Sequence, residues 1–515
     1  MIRTTPFHGL VLAFLLISSV HAAPSAERLA RQGADGVAAC ASCHGAQGEG
    51  NAAGFPALAG QPAGYLAKQL HDLANGARAN PIMMPIAKAL SDPQITALAD
   101  YYAGLPATGG GGARDDQGAG RELAVNGAWG DNQPACIACH GEGARGVPPH
   151  FPALAGQHGG YIEGQLKAWK SGTRHGDAGG LMAAVAKRLD DAQIQAVSAW
   201  LAALPPSGEV PDAARPDPAP GAADARPDRF QPPLRADLPN GKDGEAIRRG
   251  AAIFNQTHLH PQSAPFVGNG QDCSNCHMNG GRQADSAPMW AAWVLYPKYR
   301  GKNDKINSMA ERIQGCFTYS QNAQASKNGA APAADSALIA DLQAYMHWQA
   351  SGVPTGKTMK GQGYPELPKP AKAFSPTRGK ALFAEHCALC HGDTGQGTAI
   401  NGGTAKRDDD YAFPPLWGPN AYNWGAGMHR VNTAAGFIQT NMPLGNPGSL
   451  SNQDAWDLAA YINSRPRPQD PRFKGDLDAT ARDFHANQAM DYYGQSVDGY
   501  RLGSPGTLEK WIQAQ

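Results

Sequence analysis

Cys40-Ala41-Ser42-Cys43-His44-Gly45 is the stretch on which the fold turns. It recurs as Cys136-Ile137-Ala138-Cys139-His140-Gly141, Cys273-Ser274-Asn275-Cys276-His277 and Cys387-Ala388-Leu389-Cys390-His391. Cysteines three positions apart share a helix face, and the adjoining histidine follows at once. That pattern is a c-type haem attachment site: two thioethers fix the porphyrin edge, and histidine sits beneath the iron as proximal ligand. Four copies predict four covalently bound haems, with His44, His140, His277 and His391 as proximal ligands. Zinc is the competing reading, but no further Cys or His stands at finger spacing near any site.

The eight motif cysteines leave one over, Cys316 in Arg312-Ile313-Gln314-Gly315-Cys316-Phe317-Thr318-Tyr319-Ser320. An isolated cysteine can be a small buried hydrophobe. Cys316, however, lies 40 positions after Cys276 (316 − 276), about where a small cytochrome domain supplies its second axial ligand. Lys298, Arg300, Lys302, Lys305 and Arg312 surround it, against only Asp304 and Glu311. Positive neighbours favour the thiolate, the form that binds metal and acts as a nucleophile. The expectation is a cysteine-ligated haem in an anion-attracting pocket.

With 515 residues the chain has room for three or four domains. Its formal net charge of zero gives no case for bulk nucleic-acid binding. Gly 63 and Pro 41 imply extensive loops, which suits domains whose core is largely cofactor. Arg3, the short apolar run Leu10–Ile17 and the small-residue site Val20-His21-Ala22 read as a secretory signal cleaved near Ala22. The run is too short to span a bilayer, although it could remain as an anchor. No other stretch approaches transmembrane length, so the mature chain is expected to be periplasmic, without a membrane span.

The first half repeats itself. Phe55-Pro56-Ala57-Leu58-Ala59-Gly60-Gln61 returns as Phe151-Pro152-Ala153-Leu154-Ala155-Gly156-Gln157, an offset of 96 (151 − 55). Tyr65/Tyr161, Gln69/Gln165 and Arg78/Arg174 keep the same offset, so two copies of one domain follow. Each copy ends in a predicted helix. Ser91-Asp92-Pro93 caps one with buried-face candidates Ile95, Leu98, Ala99 and Tyr102; Asp190-Asp191 opens the other, with Ile194, Val197, Ser198 and Leu201. Met83, or else Met84, is the candidate distal ligand in the first copy, and Met182 in the second.

Prolines at 205, 206, 216, 218, 220, 227, 232 and 233, without apolar periodicity, predict a semi-rigid linker over 206–240, long enough that the halves need not be packed together. Beyond it, Ile247–Phe254 leads to Cys273, and Ser336–Met346 closes a third domain. Arg378–Phe383 opens a fourth that Trp456–Ile462 closes. Its distal-ligand candidate is Met442, with Met428 as rival, and the tail after Pro466 reads as polar and irregular.

Residues 24–205 resemble cytochrome c4, a dihaem electron carrier, through the doubled C-x-x-C-H-G and F-P-x-L-A-G-Q motifs. Cys273–His277, Gly281-Arg282-Gln283, Tyr296-Pro297-Lys298-Tyr299-Arg300 and Arg312–Cys316 resemble the thiosulfate dehydrogenase family over roughly 241–465. That resemblance implies an active-site haem held by His277 and Cys316 and a second held by His391 and Met442. It also implies that two thiosulfate ions are joined into tetrathionate, with a cytochrome c4 as usual acceptor. In some members a lysine before the methionine competes for iron; here Asn441 stands there. A pocket for two dianions needs cations, for which Arg300, Lys302 and Arg312 are candidates, with Arg282, Gln283 and Ser320 as hydrogen-bond donors. Rival readings are a tetrahaem carrier, a Sox-type component that works on a partner's carrier arm, and catalysis in the tetrathionate-reducing direction. A periplasmic small cytochrome, high-potential iron-sulfur protein or oxidase would take the electrons onward.

The expected architecture is mainly α. It comprises a signal peptide (1–22), cytochrome c domains at 23–107 and 108–205, the linker (206–240) and a domain with the Cys-ligated haem (241–352). A connection (353–376), a fourth domain (377–466) and a tail (467–515) complete it, giving four class I cytochrome c domains in two dihaem pairs.

Overall fold

The computed structural model describes residues 25–34, 36–109, 118–128, 133–177, 180–214, 228–233, 237–301, 303–400, 403–485 and 490–515. The signal segment, Lys302 and the centre of the proline-rich stretch lie outside them. The fold is mainly α. Its strands among the described residues form three two-stranded antiparallel hairpins, at 298–307, 398–413 and 496–501.

Each domain is built on a crossing of its first helix with its last. The pairs are Ala26–Gln32 with Asp92–Ala103, Ala119–Arg121 with Asp191–Ala203, Gly241–Asn255 with Ala337–Gln349, and Pro376–His386 with Asn452–Asn463. Three crossings are glycine-dependent. A Cβ on Gly250 would lie 2.0 Å from the Asp341 carbonyl oxygen, one on Gly379 2.0 Å from that of Asp457, and one on Gly120 2.3 Å from that of Ala196. Next to two of these glycines an arginine locks the crossing. Arg249 donates through Nε and Nη2 to the Asp341 carboxylate at 2.9 Å each, and Arg378 does the same to Asp457 at 2.7 and 2.9 Å.

The closing helices start where their caps put them. Ser91 forms a capping box with Gln94, and Asp190 with Gln193. Ile95, Leu98, Ala99 and Tyr102 are buried on one helix, and Ile194, Val197, Ser198 and Leu201 on the other, as the 3.6-residue period requires.

The repeated residues of the first half form the contact between its two domains. Gln61 Nε2 donates to the Ala153 carbonyl at 2.9 Å while its Oε1 accepts from Ala153 N at 3.0 Å. Gln157 makes the reciprocal pair with Ala57, at 3.0 and 2.9 Å. Arg78 donates to Tyr161 and Gln165, and Arg174 to Tyr65 and Gln69, so each arginine serves the other domain. The offset of 96 is therefore the signature of a pseudo-twofold interface.

Two expectations are corrected. The proline-rich stretch is anchored at both ends. Arg145 donates to the carbonyls of Ser207, Gly208 and Glu209, Ala214 is fully buried in the second domain's core, and Phe230 packs on Trp290 of the third. The halves also touch directly. Phe151 and Phe413 have ring centroids 5.3 Å apart, and Arg188 Nη1 donates to the Gly445 carbonyl at 2.6 Å. Composition hid these anchors because backbone carbonyls and a few apolar side chains make them.

The segment after Pro466 is likewise ordered. Leu477–Phe484 and Thr507–Gln513 are helices, and Leu477, Tyr493 and Leu502 form a buried cluster with Trp424. Its apolar residues are too widely spaced to show a period, yet they converge on one tryptophan.

Candidate active site

All four motif histidines are prepared alike. Nδ1 lies 3.0 Å from the Pro56 carbonyl for His44 and 2.8 Å from that of Pro152 for His140. It lies 2.8 Å from the Ala287 carbonyl for His277 and from the Pro414 carbonyl for His391. A proton on Nδ1 shared with a carbonyl leaves the Nε2 lone pair for a metal, and the contact fixes the ring. Burial lowers the pKa of each ring, most for His277, pushed down to about 4, so the neutral, ligating form prevails.

In the first half, both motifs line one cavity of about 380 Å³. Its walls are chiefly apolar and include Met83 and Met182, whereas Met84 is not among the lining residues. Arg78 and Arg174 supply two guanidinium groups at the same cavity. An apolar slot with fixed imidazoles, thioether sulfurs and a cationic edge fits haem, whose propionates need counter-charge. The fourth domain repeats the provision: Cys387 and Met442 both pack against its core.

The third domain's cavity, about 230 Å³, is lined by Cys273, Cys276, His277, Arg312, Cys316 and Ser320. Cys316 thus shares a cavity with the proximal histidine although 39 positions separate them (316 − 277). It is carried by the Met309–Tyr319 helix, which a Ser308–Glu311 capping box starts. On that helix Arg312 sits one turn before Cys316, and its Nη1 lies 3.0 Å from the sulfur. The Cys316 sulfur is the leading cause of a raised Arg312 pKa, while burial, then Arg312, lower that of Arg300.

Arg300, on the Lys298–Arg300 strand, reaches the same spot. A Cβ on Gly315 would lie 3.9 Å from an Nη1 of both arginines. The local acids are engaged elsewhere: Glu311 pairs with Lys305 at 2.6 Å, and Asp304 accepts from Tyr299 Oη at 2.6 Å. Among the described residues, neither arginine has a carboxylate ion-pair partner within 4.0 Å. Two guanidiniums beside a sulfur, with no carboxylate partner among the described residues, are an arrangement chemically suited to a small anion.

Not every candidate belongs here. Arg282 is buried away from the cavity lining, where it donates to the carbonyls of Pro232 and Pro233. Gln283 Nε2 donates to Asn441 Oδ1 at 3.0 Å and so ties the third domain to the residue before Met442. Lys302 lies outside the described residues. Motif proximity brought Arg282 and Gln283 into the list, but the backbone after His277 turns them toward neighbouring segments. Conversely, Tyr422 and Met428 of the fourth domain line the Cys316 cavity, as do Tyr296 and Gln362. Met428, the rival to Met442, therefore faces the third domain's cavity. No period or spacing signals a wall contributed by another domain.

Helical domains closed by first-to-last helix crossings, each with a C-x-x-C-H site and a carbonyl-held imidazole, define a multihaem c-type cytochrome, with haem bound covalently at the motif cysteines. The cytochrome c family model matches residues 30–105, 119–205 and 376–466, and the SoxA/TsdA cytochrome c domain model matches 263–355. A thiosulfate dehydrogenase of Stutzerimonas stutzeri (strain A1501) is 52% identical over 275 residues, covering 53% of this chain and 85% of that one. A thiosulfate dehydrogenase electron acceptor of Thiomonas intermedia (strain K12) is 54% identical over 175 residues, covering 33% of this chain and 80% of its own. The solved structure of thiosulfate dehydrogenase (TsdBA) from Marichromatium purpuratum, in its as-isolated form, matches with TM-score 0.82 and 47% identity. The match covers 93% of this chain and 99% of that one. The chain belongs to the thiosulfate dehydrogenase family, in the arrangement that fuses an electron-acceptor cytochrome to the dehydrogenase unit.

Proposed function

We propose that this chain is a periplasmic thiosulfate dehydrogenase that joins two thiosulfate ions into tetrathionate at Cys316 and delivers the electrons to its own amino-terminal half. The observation that carries the reading is the placement of the Cys316 sulfur in one cavity with His277, beside Arg312 and near Arg300. His277 and Cys316 are the residues that would hold the iron of the third domain's haem, and His391 with Met442 those that would hold the fourth's. His140 with Met182 and His44 with Met83 serve the first half.

Arg312 and Arg300 draw in the dianion and offset the repulsion between two of them. Arg312 also donates through Nη1 to the Cys316 sulfur at 3.0 Å, which orients it in the cavity. The Cys316 thiolate bonds to the outer sulfur of one thiosulfate, a two-electron oxidation for which bound haem would be the acceptor. A second thiosulfate attacks that same outer sulfur, tetrathionate departs, and the Cys316 thiolate is restored. Haem, when bound, would supply the one-electron carriers, and a thiolate from Cys316 against thioethers from Met442, Met182 and Met83 would favour flow away from the Cys316 site. Contact between the halves supports the onward route: ring centroids run His391 to Phe413 at 6.4 Å, Phe413 to Phe151 at 5.3 Å and Phe151 to His140 at 6.2 Å.

Turnover of the purified chain with thiosulfate and an artificial one-electron acceptor tests the reading. Tetrathionate formation by the chain alone is expected. No turnover would make it a carrier, and activity only with a separate sulfur-carrier protein would make it Sox-type.

A further inference from the structure

The carboxyl-terminal segment carries a buried cluster that thiosulfate chemistry does not use. His429 ends the Gly427–His429 turn, His485 follows the Leu477–Phe484 helix, and Asp491 lies in the chain beyond. Both histidines are buried, at 1% and 4% exposure. One polar atom of each residue is already committed. His429 Nδ1 contacts the Ala426 carbonyl oxygen, and His485 Nε2 lies 3.1 Å from Asp470 Oδ2, itself gripped by Arg472. Asp491 Oδ1 accepts from Tyr493 N at 2.9 Å.

The three remaining atoms converge. His429 Nε2 lies 2.8 Å and His485 Nδ1 2.6 Å from the same Asp491 Oδ2, and all three fall within 4.8 Å of one another. The two imidazole rings lie at a centroid separation of 5.1 Å. One divalent ion at their meeting point would take a lone pair from each of the three atoms. The committed atoms then become the outer supports that metal-binding histidines and carboxylates ordinarily have: a carbonyl, a carboxylate and a backbone N–H.

We infer that His429, His485 and Asp491 bind a divalent transition-metal ion, zinc in particular. Two neutral imidazoles and one carboxylate suit zinc, with a fourth position for water. Asp470 is not a ligand, because His485 and Arg472 already occupy its oxygens. The ion would clamp the tail onto the fourth domain at His429, the residue that follows Met428 of the Cys316 cavity lining. Its place is a structural staple, independent of the thiosulfate reading.

The haem-loaded full chain, incubated with zinc chloride and then desalted, is assayed for zinc and iron by mass spectrometry, alongside His485→Ala and Asp491→Asn. Asp491→Asn preserves size in case the alanine variant fails to fold. About one zinc per wild-type chain is expected, with a loss of roughly tenfold or more in either variant at unchanged iron content. Wild type that retains no zinc, or folded variants that retain as much as wild type, would overturn the inference and leave a proton-linked His–Asp cluster.

Discussion

Arg312 Nη1 stands 3.0 Å from Cys316 Sγ, one helical turn away and on the same face. A guanidinium so close to sulfur remains available to an incoming anion, since no carboxylate neutralises it among the described residues.

Arg312→Leu should lower thiosulfate kcat/KM by about 10²- to 10³-fold, the range for losing one preorganised charge-stabilising donor. Arg300→Ala, which removes the second charge near Gly315, should act mainly on KM. Steady-state kinetics at fixed ionic strength separates the two. Equal kcat/KM in wild type and Arg312→Leu would remove arginine from the mechanism.

Gln157→Ala should loosen the first half. It leaves the backbone N–H and C=O of buried Ala57 without their partner, at a cost of about 1–3 kcal/mol per unpaired group. Thermal unfolding followed in the haem absorption of the first half should show a lower midpoint, while thiosulfate turnover with an artificial acceptor stays near wild type.

Gly379→Ala should destabilise the fourth domain, although alanine normally favours helix. Its Cβ would meet the Asp457 carbonyl oxygen at 2.0 Å, forcing apart the crossing that Arg378 locks. Overpacking of this kind costs about 1–3 kcal/mol or more. Gly315→Ala, with 3.9 Å to the nearest atoms, should leave stability almost unchanged. Paired thermal melts check the contrast.

The fold was legible because its determinants are local. C-x-x-C-H fixes the haem sites, and Ser91 and Asp190 mark helix starts. The offset of 96 announced two copies, though not that Gln61 and Gln157 would clamp each other's domain. Cys316 and Arg312 were legible together because i and i+4 share a helix face. Arg282 and Gln283 were misplaced because position after His277 says nothing about direction across a tight turn. Tyr422 and Met428 were missed because their approach depends on the packing of two domains. The tail's cluster around Trp424 was missed because its members recur without a period.

The most direct test of the account is the tetrathionate-forming rate of Cys316→Met in the haem-loaded chain. Methionine offers a thioether to iron but cannot form the sulfur–sulfur bond to substrate. The predicted result is loss of thiosulfate oxidation with four haems still attached, because the attachment cysteines lie elsewhere. The reduction potential of one haem should rise, since a neutral thioether stabilises Fe(III) less than a thiolate does. Turnover by Cys316→Met at the wild-type rate would contradict the account, reducing Cys316 to a ligand that only tunes potential.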